Sequence, residues 1–536
     1  MFISPYNPSF SRYLNFSLNI LISHTILIRY IIVSLKGVFC FMKQAFIDYV
    51  KKMQNYSEAL AVVYWDMRTG APKKGLPQRA EVVGTLSSEL FALQTGDELG
   101  SLLTQLENEE LDYVTRRLYE EVKKGYDESK KIPADEYKAY TILKAKSEAA
   151  WEEAKAKSDF QIFLPYLKEV IAYQKKFVEY WSIKNGSAYN TLLDKYEPDM
   201  TTDMLDELFG ELKATIVPLV KAIQASPNKP DTSMLFKHFP KAGQHAASIE
   251  LLTQLGYDFN AGRLDETVHP FMIGLNSGDI RVTTKYDESD FRSAVFGTIH
   301  ECGHALYEQN IDSKLNGLPL STGASMGIHE SQSLFYENFV GRNENFWKHN
   351  FAVLQKHSPE QFGDVEVEDF LKAINFSEPS LIRIEADELT YPLHIMIRYE
   401  IEREIFNGDL QAEDLPKVWN DKYEEYLGIR PENDAQGVLQ DMHWSDGSFG
   451  YFPSYALGFM YAAQWKHAMD QDIENFDELL EQGNLVPIRK WLTDKVHQYG
   501  ALKKPNELIV EGTGEVLSAR YLAEYLQQKY TKLYQL

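Results

Sequence analysis

Cysteine is almost absent from this sequence, because Cys40 and Cys302 are the only two in 536 residues. Two thiols provide no disulfide framework, so the fold must rest on hydrophobic packing, and a reducing compartment such as the cytoplasm is predicted. Basic residues are also scarce: 55 stand against 78 acidic residues, a formal net charge of −23. An acidic surface repels polyanions, which argues against nucleic acid or an anionic membrane surface as a partner.

Strand patterns and internal repeats are few as well. Hydrophobic residues make up 44% of the chain and aromatic residues 13%, which supplies a large core and argues against disorder. From about residue 43 to residue 225, apolar residues recur every three or four positions, a pattern that predicts successive helices. Pro133, the pair Ser158-Asp159 and Pro165 punctuate this pattern and mark helix boundaries. We therefore predict a mainly α protein in which residues 42–536 form one large helical domain.

The first 41 residues differ from the rest. Residues 15–41 are rich in Ile, Leu, Val and Phe, which is typical of a membrane anchor or an uncleaved signal. Asn19, His24 and Arg29 interrupt the run, however, and such side chains are costly in a bilayer. A third interpretation places the translation start at Met42. Membrane association is expected only if residues 1–41 are translated and inserted.

The stretch HECGH carries the clearest chemical signal. On a helix, His300 and His304 lie one turn apart and present both imidazoles to one point, which is half of a zinc site. Glu301 lies about 100° round the helix from His300, so it is predicted to reach a water molecule as general base. Cys302 points about 200° away and is excluded as a ligand. Gly303 costs roughly 1 kcal/mol relative to Ala in a helix, which suggests close packing there.

Two observations bear on whether HECGH is a metal motif. The chain has thirteen histidines, so the pattern can arise by chance, and a helix with two surface histidines is the alternative. In favour of the metal site, apolar residues recur along the same stretch at helical spacing and predict a buried helix. These residues are Phe291, Val295, Ile299, Cys302 and Leu306.

A third ligand is sought in the next helix, predicted over residues 328–340 and closed by Gly341. Glu330, near the start of that helix, is the predicted ligand, which would leave one coordination position open for water. The alternative is that Glu330 only favours the helix N-terminus through its charge, in which case His329 would be the competing ligand.

Residues 279–284 have the alternation and the β-branched residues of a strand. A strand beside a zinc helix can offer its open edge to an extended peptide, and a purely structural hairpin is the alternative. Further on, Arg383 could pair with a substrate carboxylate, while His443, Tyr451 and Tyr455 could donate hydrogen bonds to an oxyanion. Taken singly, each of these four is more often a core or surface residue.

Six motifs in a fixed order resemble the motif series of the M32 metallocarboxypeptidases, the Taq carboxypeptidase family. The motifs are HPF (His269–Phe271), DIRVT (Asp279–Thr283), HECGH (His300–His304), HESQ (His329–Gln332), IRIEAD (Ile382–Asp387) and GVLQDMHW (Gly437–Trp444). The resemblance runs from about Met42 almost to the C-terminus and leaves out residues 1–41.

The resemblance implies an almost wholly helical, gluzincin-like fold with a deep groove, a small β-sheet beside the metal helix, and a homodimer. It also implies one divalent ion per chain, zinc or sometimes cobalt, and the release of single amino acids from peptide C-termini with broad side-chain tolerance. The matching positions make His300, His304 and Glu330 the metal ligands and Glu301 the general base.

For the substrate, the same resemblance assigns groove-lining or substrate-contacting roles to five residues: His269, Arg383, His443, Tyr451 and Tyr455. Arg430 is a rival to Arg383 for the terminal carboxylate, and the choice between the two tyrosines stays open. We therefore expect a zinc carboxypeptidase. The alternatives are a helical zinc oligo-endopeptidase, which would lack the carboxylate clamp, and a non-catalytic peptide-binding scaffold, against which the intact Glu301 counts.

Overall fold

A computed structural model describes residues 41–536 of the chain. The interpretations of residues 1–41 as an anchor, a signal or an untranslated stretch concern a segment that lies, except for Phe41, outside the described residues. Within residues 41–536, no helix is both long and apolar enough to cross a membrane.

Helices make up most of the structure, as the apolar periodicity predicts. Within the described part of the chain, nine helices precede the sheet: α1 (41–69), α2 (Leu76–Thr95), α3 (Asp97–Leu106), α4 (Tyr113–Lys131), α5 (Ala134–Lys157), α6 (Phe160–Trp181), α7 (Ala188–Leu193), α8 (Thr202–Ala225) and α9 (Lys241–Leu255). The predicted punctuation is confirmed where Ser158 ends α5 in the left-handed conformation and the Asp159 carboxylate accepts a hydrogen bond from the Gln161 amide. Pro133 directly precedes α5, as predicted. The boundary predicted at Pro165 is wrong, because this proline lies inside α6, near the N-terminus, where the helix continues despite the one amide hydrogen bond that proline cannot donate.

Twelve helices follow the sheet: α10 (Arg292–Gln309), α11 (Met326–Leu334), α12 (Glu344–His357), α13 (Pro359–Phe362), α14 (Val367–Ile374), α15 (Tyr391–Asn407), α16 (Leu415–Leu427), α17 (Pro453–Asp472), α18 (Phe476–Glu481), α19 (Val486–Lys495), α20 (Pro505–Thr513) and α21 (Arg520–Tyr534). A π-helical stretch, Phe335–Val340, continues α11 as far as Gly341. Short 3₁₀ turns at Lys73–Gly75, Ser233–Phe236, Ser313–Leu315, Arg383–Glu385, Ala412–Asp414 and His497–Leu502 join neighbouring helices.

Three short strands form a mixed sheet in the order β1-β3-β2. They are β1 (Leu264–Glu266), β2 (Met272–Asn276) and β3 (Asp279–Thr284). The predicted strand is therefore present, but it is the central one, parallel to β1 and antiparallel to β2. Because both edges of β3 are paired, the expectation that it offers an open edge to a peptide is wrong, and the hairpin interpretation is confirmed.

Helix α10 lies at the centre of the molecule, between the sheet, α9 and α11. The apolar face predicted for it is fully buried, with Val295, Ile299, Cys302 and Leu306 at 0% exposure. Helix α11 packs against α10 on one side and α17 on the other. This three-helix stack positions the side chains that the sequence singles out.

Candidate metal centre and active site

His300 and His304 lie on one face of α10, with their ring centroids 5.1 Å apart. Glu330 approaches them from α11, its Oε2 atom lying 3.3 Å from His304 Nε2 and 3.9 Å from His300 Nε2. The three ligand atoms all lie within 4.8 Å of one another. Two imidazole nitrogens and one carboxylate oxygen are a donor set typical of a catalytic zinc site, so these residues fit a divalent ion.

Close backbone contacts hold α11 between its neighbours. A Cβ atom added to Gly303 of α10 would lie 2.6 Å from Ser333 Cα, so α10 and α11 touch there as the helical glycine suggests. On the opposite side, a Cβ added to Gly458 of α17 would lie 2.7 Å from the Cβ and Cγ atoms of Glu330. Glycine at both places lets Glu330 come within reach of the two histidines.

The Nδ1 atoms of both histidines are held by hydrogen bonds, which leaves the Nε2 atoms facing Glu330. His300 Nδ1 lies 2.9 Å from Glu337 Oε2. His304 Nδ1 lies 2.6 Å from Nδ1 of His329, whose Nε2 lies 3.1 Å from Glu308 Oε1. Such outer partners set the tautomer and the orientation of metal-binding imidazoles. His329 therefore contacts His304 rather than joining the three-residue group.

Carboxylates dominate the electrostatics of the centre. Although burial opposes it, the charges of Glu330 and Glu337 raise the pKa of His300 to about 10. Burial alone would raise the pKa of Glu330, but His300 and His304 lower it to about 2, so this carboxylate stays ionised. The ionised Glu330 carboxylate therefore supplies a negative charge that attracts a cation to this place.

Glu301 is buried next to the ligands, and burial raises the pKa of its carboxyl to about 7. A carboxylate with a pKa near neutrality can both accept and return a proton at physiological pH. Cys302 is buried at the opposite side of α10, within the hydrophobic core. The helical geometry that excludes Cys302 as a ligand is thus the geometry observed.

A second cluster surrounds Arg383, which is 7% exposed. Its guanidinium lies 2.9 Å from Asp441 Oδ1, and Arg398 donates to the other carboxylate oxygen at 2.6 Å. Although burial opposes ionisation, these two guanidinium groups hold the pKa of Asp441 well below its usual range. Arg383 also lies over the Tyr455 ring, 5.0 Å from its centroid, and donates to the Tyr391 hydroxyl at 3.4 Å.

His443, Tyr451 and Tyr455 lie together beside this arginine. The two tyrosine rings are 5.1 Å apart, and His443 Nε2 lies 3.4 Å from the Tyr455 hydroxyl. Burial holds the pKa of both phenols above the ordinary value and lowers the pKa of His443 to about 4. The hydroxyls therefore stay protonated and the imidazole neutral at pH 7, and all three remain hydrogen-bond donors.

Known proteins share both the sequence and the fold. The family described as Carboxypeptidase Taq (M32) metallopeptidase matches residues 45–530. Carboxypeptidase 1 of Bacillus subtilis is 57% identical over 494 residues, which cover 92% of this chain and 98% of the relative. Thermostable carboxypeptidase 1 of Thermus thermophilus is 41% identical over 488 residues, covering 88% and 95%. The chain belongs to the M32 family of metallocarboxypeptidases.

A solved M32 carboxypeptidase from Deinococcus radiodurans R1 superimposes with a TM-score of 0.90 at 33% identity, covering 92% of this chain and all of that one. The match confirms the resemblance noted in the six motifs and the mainly helical fold with a small sheet. Membership also makes the protein a metallocarboxypeptidase, and the family implies a divalent metal, which agrees with the three converging ligand atoms.

The two remaining candidate substrate contacts, His269 and Arg430, lie at the surface. His269 is exposed in the loop between β1 and β2, and no hydrogen bond joins it to another residue of the described segment. Arg430 is exposed beyond the end of α16, where it forms ion pairs with Asp421 and Glu424. Arg383 thus shares a cluster with His443 and the tyrosines, whereas Arg430 pairs with surface carboxylates of α16.

The sequence patterns single out neither Tyr391 nor Asp441, which also belong to the cluster around Arg383. Tyr391 begins α15 and lies close enough to Glu330 for that charge to affect its pKa, which burial raises. Asp441 belongs to the motif GVLQDMHW and is the shared partner of two arginines. A tyrosine four residues after the end of IRIEAD is the one signal that could have pointed to Tyr391. The role of Asp441 can be recognised only from the tertiary structure, because its partners lie 43 and 58 residues away in the chain.

Proposed function

We propose that this M32 enzyme is a zinc-dependent carboxypeptidase that releases single amino acids from peptide C-termini with broad side-chain tolerance. The convergence of the His300, His304 and Glu330 ligand atoms beside the buried Glu301 carries the proposal. Zinc is favoured because two imidazoles and one carboxylate match its preferred donors, and cobalt can take the same set.

An ion held by these ligands would act as a Lewis acid toward water and toward the scissile carbonyl. Glu301 accepts a proton from the attacking water and returns it to the leaving amine, which its pKa of about 7 permits in both directions. Glu337 and His329 keep the two imidazoles oriented through their Nδ1 atoms. The chain's own residues therefore provide both the proton transfer and the rigid frame.

Stabilisation of the oxyanion is assigned to the donors beside Arg383. Tyr455, Tyr451 and His443 are protonated or neutral at pH 7, and one such donor is typically worth about 3 kcal/mol. Tyr455 is proposed over Tyr451, because its ring lies under Arg383 and its hydroxyl lies 3.4 Å from His443 Nε2.

An exopeptidase also needs a cation beyond the scissile bond. Arg383 is proposed to hold the substrate carboxylate, because it lies among these donors while Arg430 pairs with surface carboxylates. His269 is proposed as a more distant contact of the groove, consistent with its exposed place in the loop after β1.

The decisive experiment compares a defined peptide with its C-terminally amidated twin. Purified protein loaded with zinc, and in parallel with cobalt, is incubated with each, and the products are followed by mass over time. We expect stepwise loss of single residues from the free peptide and almost none from the amide. Internal fragments from both peptides would support the endopeptidase alternative, and intact peptides would support the non-catalytic scaffold.

The remaining expectations are proposals of the same kind. We propose a cytoplasmic homodimer whose catalytic domain comprises residues 42–536. The family match, which begins at residue 45, supports that boundary. A chain that starts at Met42 should retain the activity of the full chain, and light scattering should give twice the protomer mass. A much less active chain, or a monomer, would contradict the respective proposal.

A further inference from the structure

One buried carboxylate outside the metal centre is not used by the chemistry above. Glu197 lies in the connection between α7 and α8 and is 0% exposed. It accepts hydrogen bonds from the Gly327 amide at 3.1 Å and from the Tyr461 hydroxyl at 2.8 Å. Within the described part of the chain, no lysine or arginine pairs with it. Its two partners belong to α11 and α17, the helices that meet at Glu330.

The contact between Glu197 and α11 leaves little freedom. A Cβ added to Gly327 would lie 2.6 Å from Glu197 Oε2, so the carboxylate rests directly on the helix backbone. The neighbouring Tyr196 carbonyl accepts a hydrogen bond from the Met326 amide at 3.0 Å. Two consecutive residues of one connection therefore bind the first two amides of α11, where the helix dipole favours a negative charge.

The contact between Glu197 and Gly327 lies about one helical turn from Glu330. Gly327 and Glu330 are three residues apart on α11, and Gly458 and Tyr461 are three residues apart on α17. Gly458 lies against Glu330, while Tyr461 reaches Gly327 through the Glu197 carboxylate. The two helices are thus fixed to each other at two points about one turn apart. Such a pair of contacts prevents α11 from sliding along α17.

We propose that Glu197 is a positioning residue, which through α11 keeps the Glu330 carboxylate at the distance from His300 and His304 that metal binding requires. The inference rests on the proposed metal ligands and adds to them a residue 133 positions away in the chain, the separation of 197 and 330. Outer residues that orient ligands typically change metal affinity 10- to 100-fold when they are lost.

A second buried carboxylate offers a matched control. Glu402 of α15 is also 0% exposed and accepts hydrogen bonds from Tyr189, Trp444 and the Gly450 amide at 2.7 to 2.9 Å. Burial raises the pKa of either carboxyl to about 7. Glu402 holds the segment before Tyr451, however, and none of these three partners lies on α10 or α11. Its loss should affect stability without moving the metal ligands.

The test measures the zinc dissociation constant by competition with a chromophoric chelator, on the full chain and without any activity assay. Glu197→Ala should weaken zinc binding at least tenfold. Glu197→Gln should retain most of the zinc affinity of the wild type, because the glutamine amide oxygen can still accept the hydrogen bond from the Gly327 amide. Tyr461→Phe, which removes a single hydrogen bond, should weaken zinc binding several-fold. This variant replaces Glu197→Ala in the comparison if Glu197→Ala fails to fold. Glu402→Ala should bind zinc within twofold of the wild type while melting at a lower temperature.

Equal losses for Glu197→Ala and Glu402→Ala would overturn the inference, since they would reflect general loosening of the fold. An unchanged zinc affinity in Glu197→Ala would overturn the inference as well. If Glu197→Ala does not fold, an unchanged affinity in Tyr461→Phe would have the same meaning. Failure of the proposed function is a separate result, in which the wild type and His304→Ala bind zinc equally weakly.

Discussion

At the scale of single residues, a substitution at Glu301 separates the proposed proton transfer from metal binding. Glu301→Gln keeps the side-chain volume and removes the base, and the three ligand atoms belong to other residues. General acid–base groups typically contribute 10²- to 10⁴-fold, so kcat should fall by about that factor. Steady-state kinetics and chelator competition check the prediction, with the zinc dissociation constant expected to stay within about threefold. Parallel loss of zinc would instead make Glu301 part of the binding site.

The two candidate arginines make a second prediction at this scale. Arg383→Gln removes a buried guanidinium, and charged hydrogen bonds are typically worth about 1.5–3 kcal/mol. We expect kcat/KM for a free-carboxylate peptide to fall about 10- to 100-fold, with little change for the residual cleavage of an amidated peptide. Arg430→Gln is the matched control on the exposed surface and should leave both values unchanged. The reverse result would show that Arg430, not Arg383, binds the substrate carboxylate.

At the scale of elements, α10 contains two glycines in different surroundings. Gly303→Ala places a methyl group against the backbone of α11, while a Cβ at Gly297 meets nothing within 4 Å. Overpacking typically costs about 1–3 kcal/mol, so Gly303→Ala should lower the free energy of unfolding by that amount and weaken zinc binding. Gly297→Ala should instead stabilise by up to about 1 kcal/mol through helix propensity. Thermal and denaturant unfolding compare the two, and similar values would refute the close contact.

The sheet shows where element prediction succeeds and where it stops. The alternation over residues 279–284 identifies β3 with its observed bounds. Its central place depends on β1 and β2, which have three and five residues and too little alternation to be recognised. Any peptide that pairs with this sheet must therefore use the edge of β1 or β2.

At the scale of the whole molecule, the proposed ion bridges α10 and α11, so it should stabilise the folded chain. A ligand at 100 times its dissociation constant contributes about 2.7 kcal/mol. With an unfolding entropy of roughly 1 kcal/mol/K for a chain of this length, chelation should lower Tm by about 2 to 3 °C. Differential scanning calorimetry with and without chelator measures the shift. His304→Ala should show no chelator effect, and an equal shift in that variant would place the ion elsewhere.

By itself, the sequence determined the features that depend on near neighbours in the chain. Helical periodicity predicts the buried face of α10 and the shared direction of His300 and His304, because residues four apart lie one turn above each other. Only the tertiary structure decided which residues far apart in the chain contact each other. Glu197 contacts Gly327 and Tyr461 across 130 and 264 residues. Such contacts follow from how helices pack, and packing depends on the shape of the whole core, which no local pattern records.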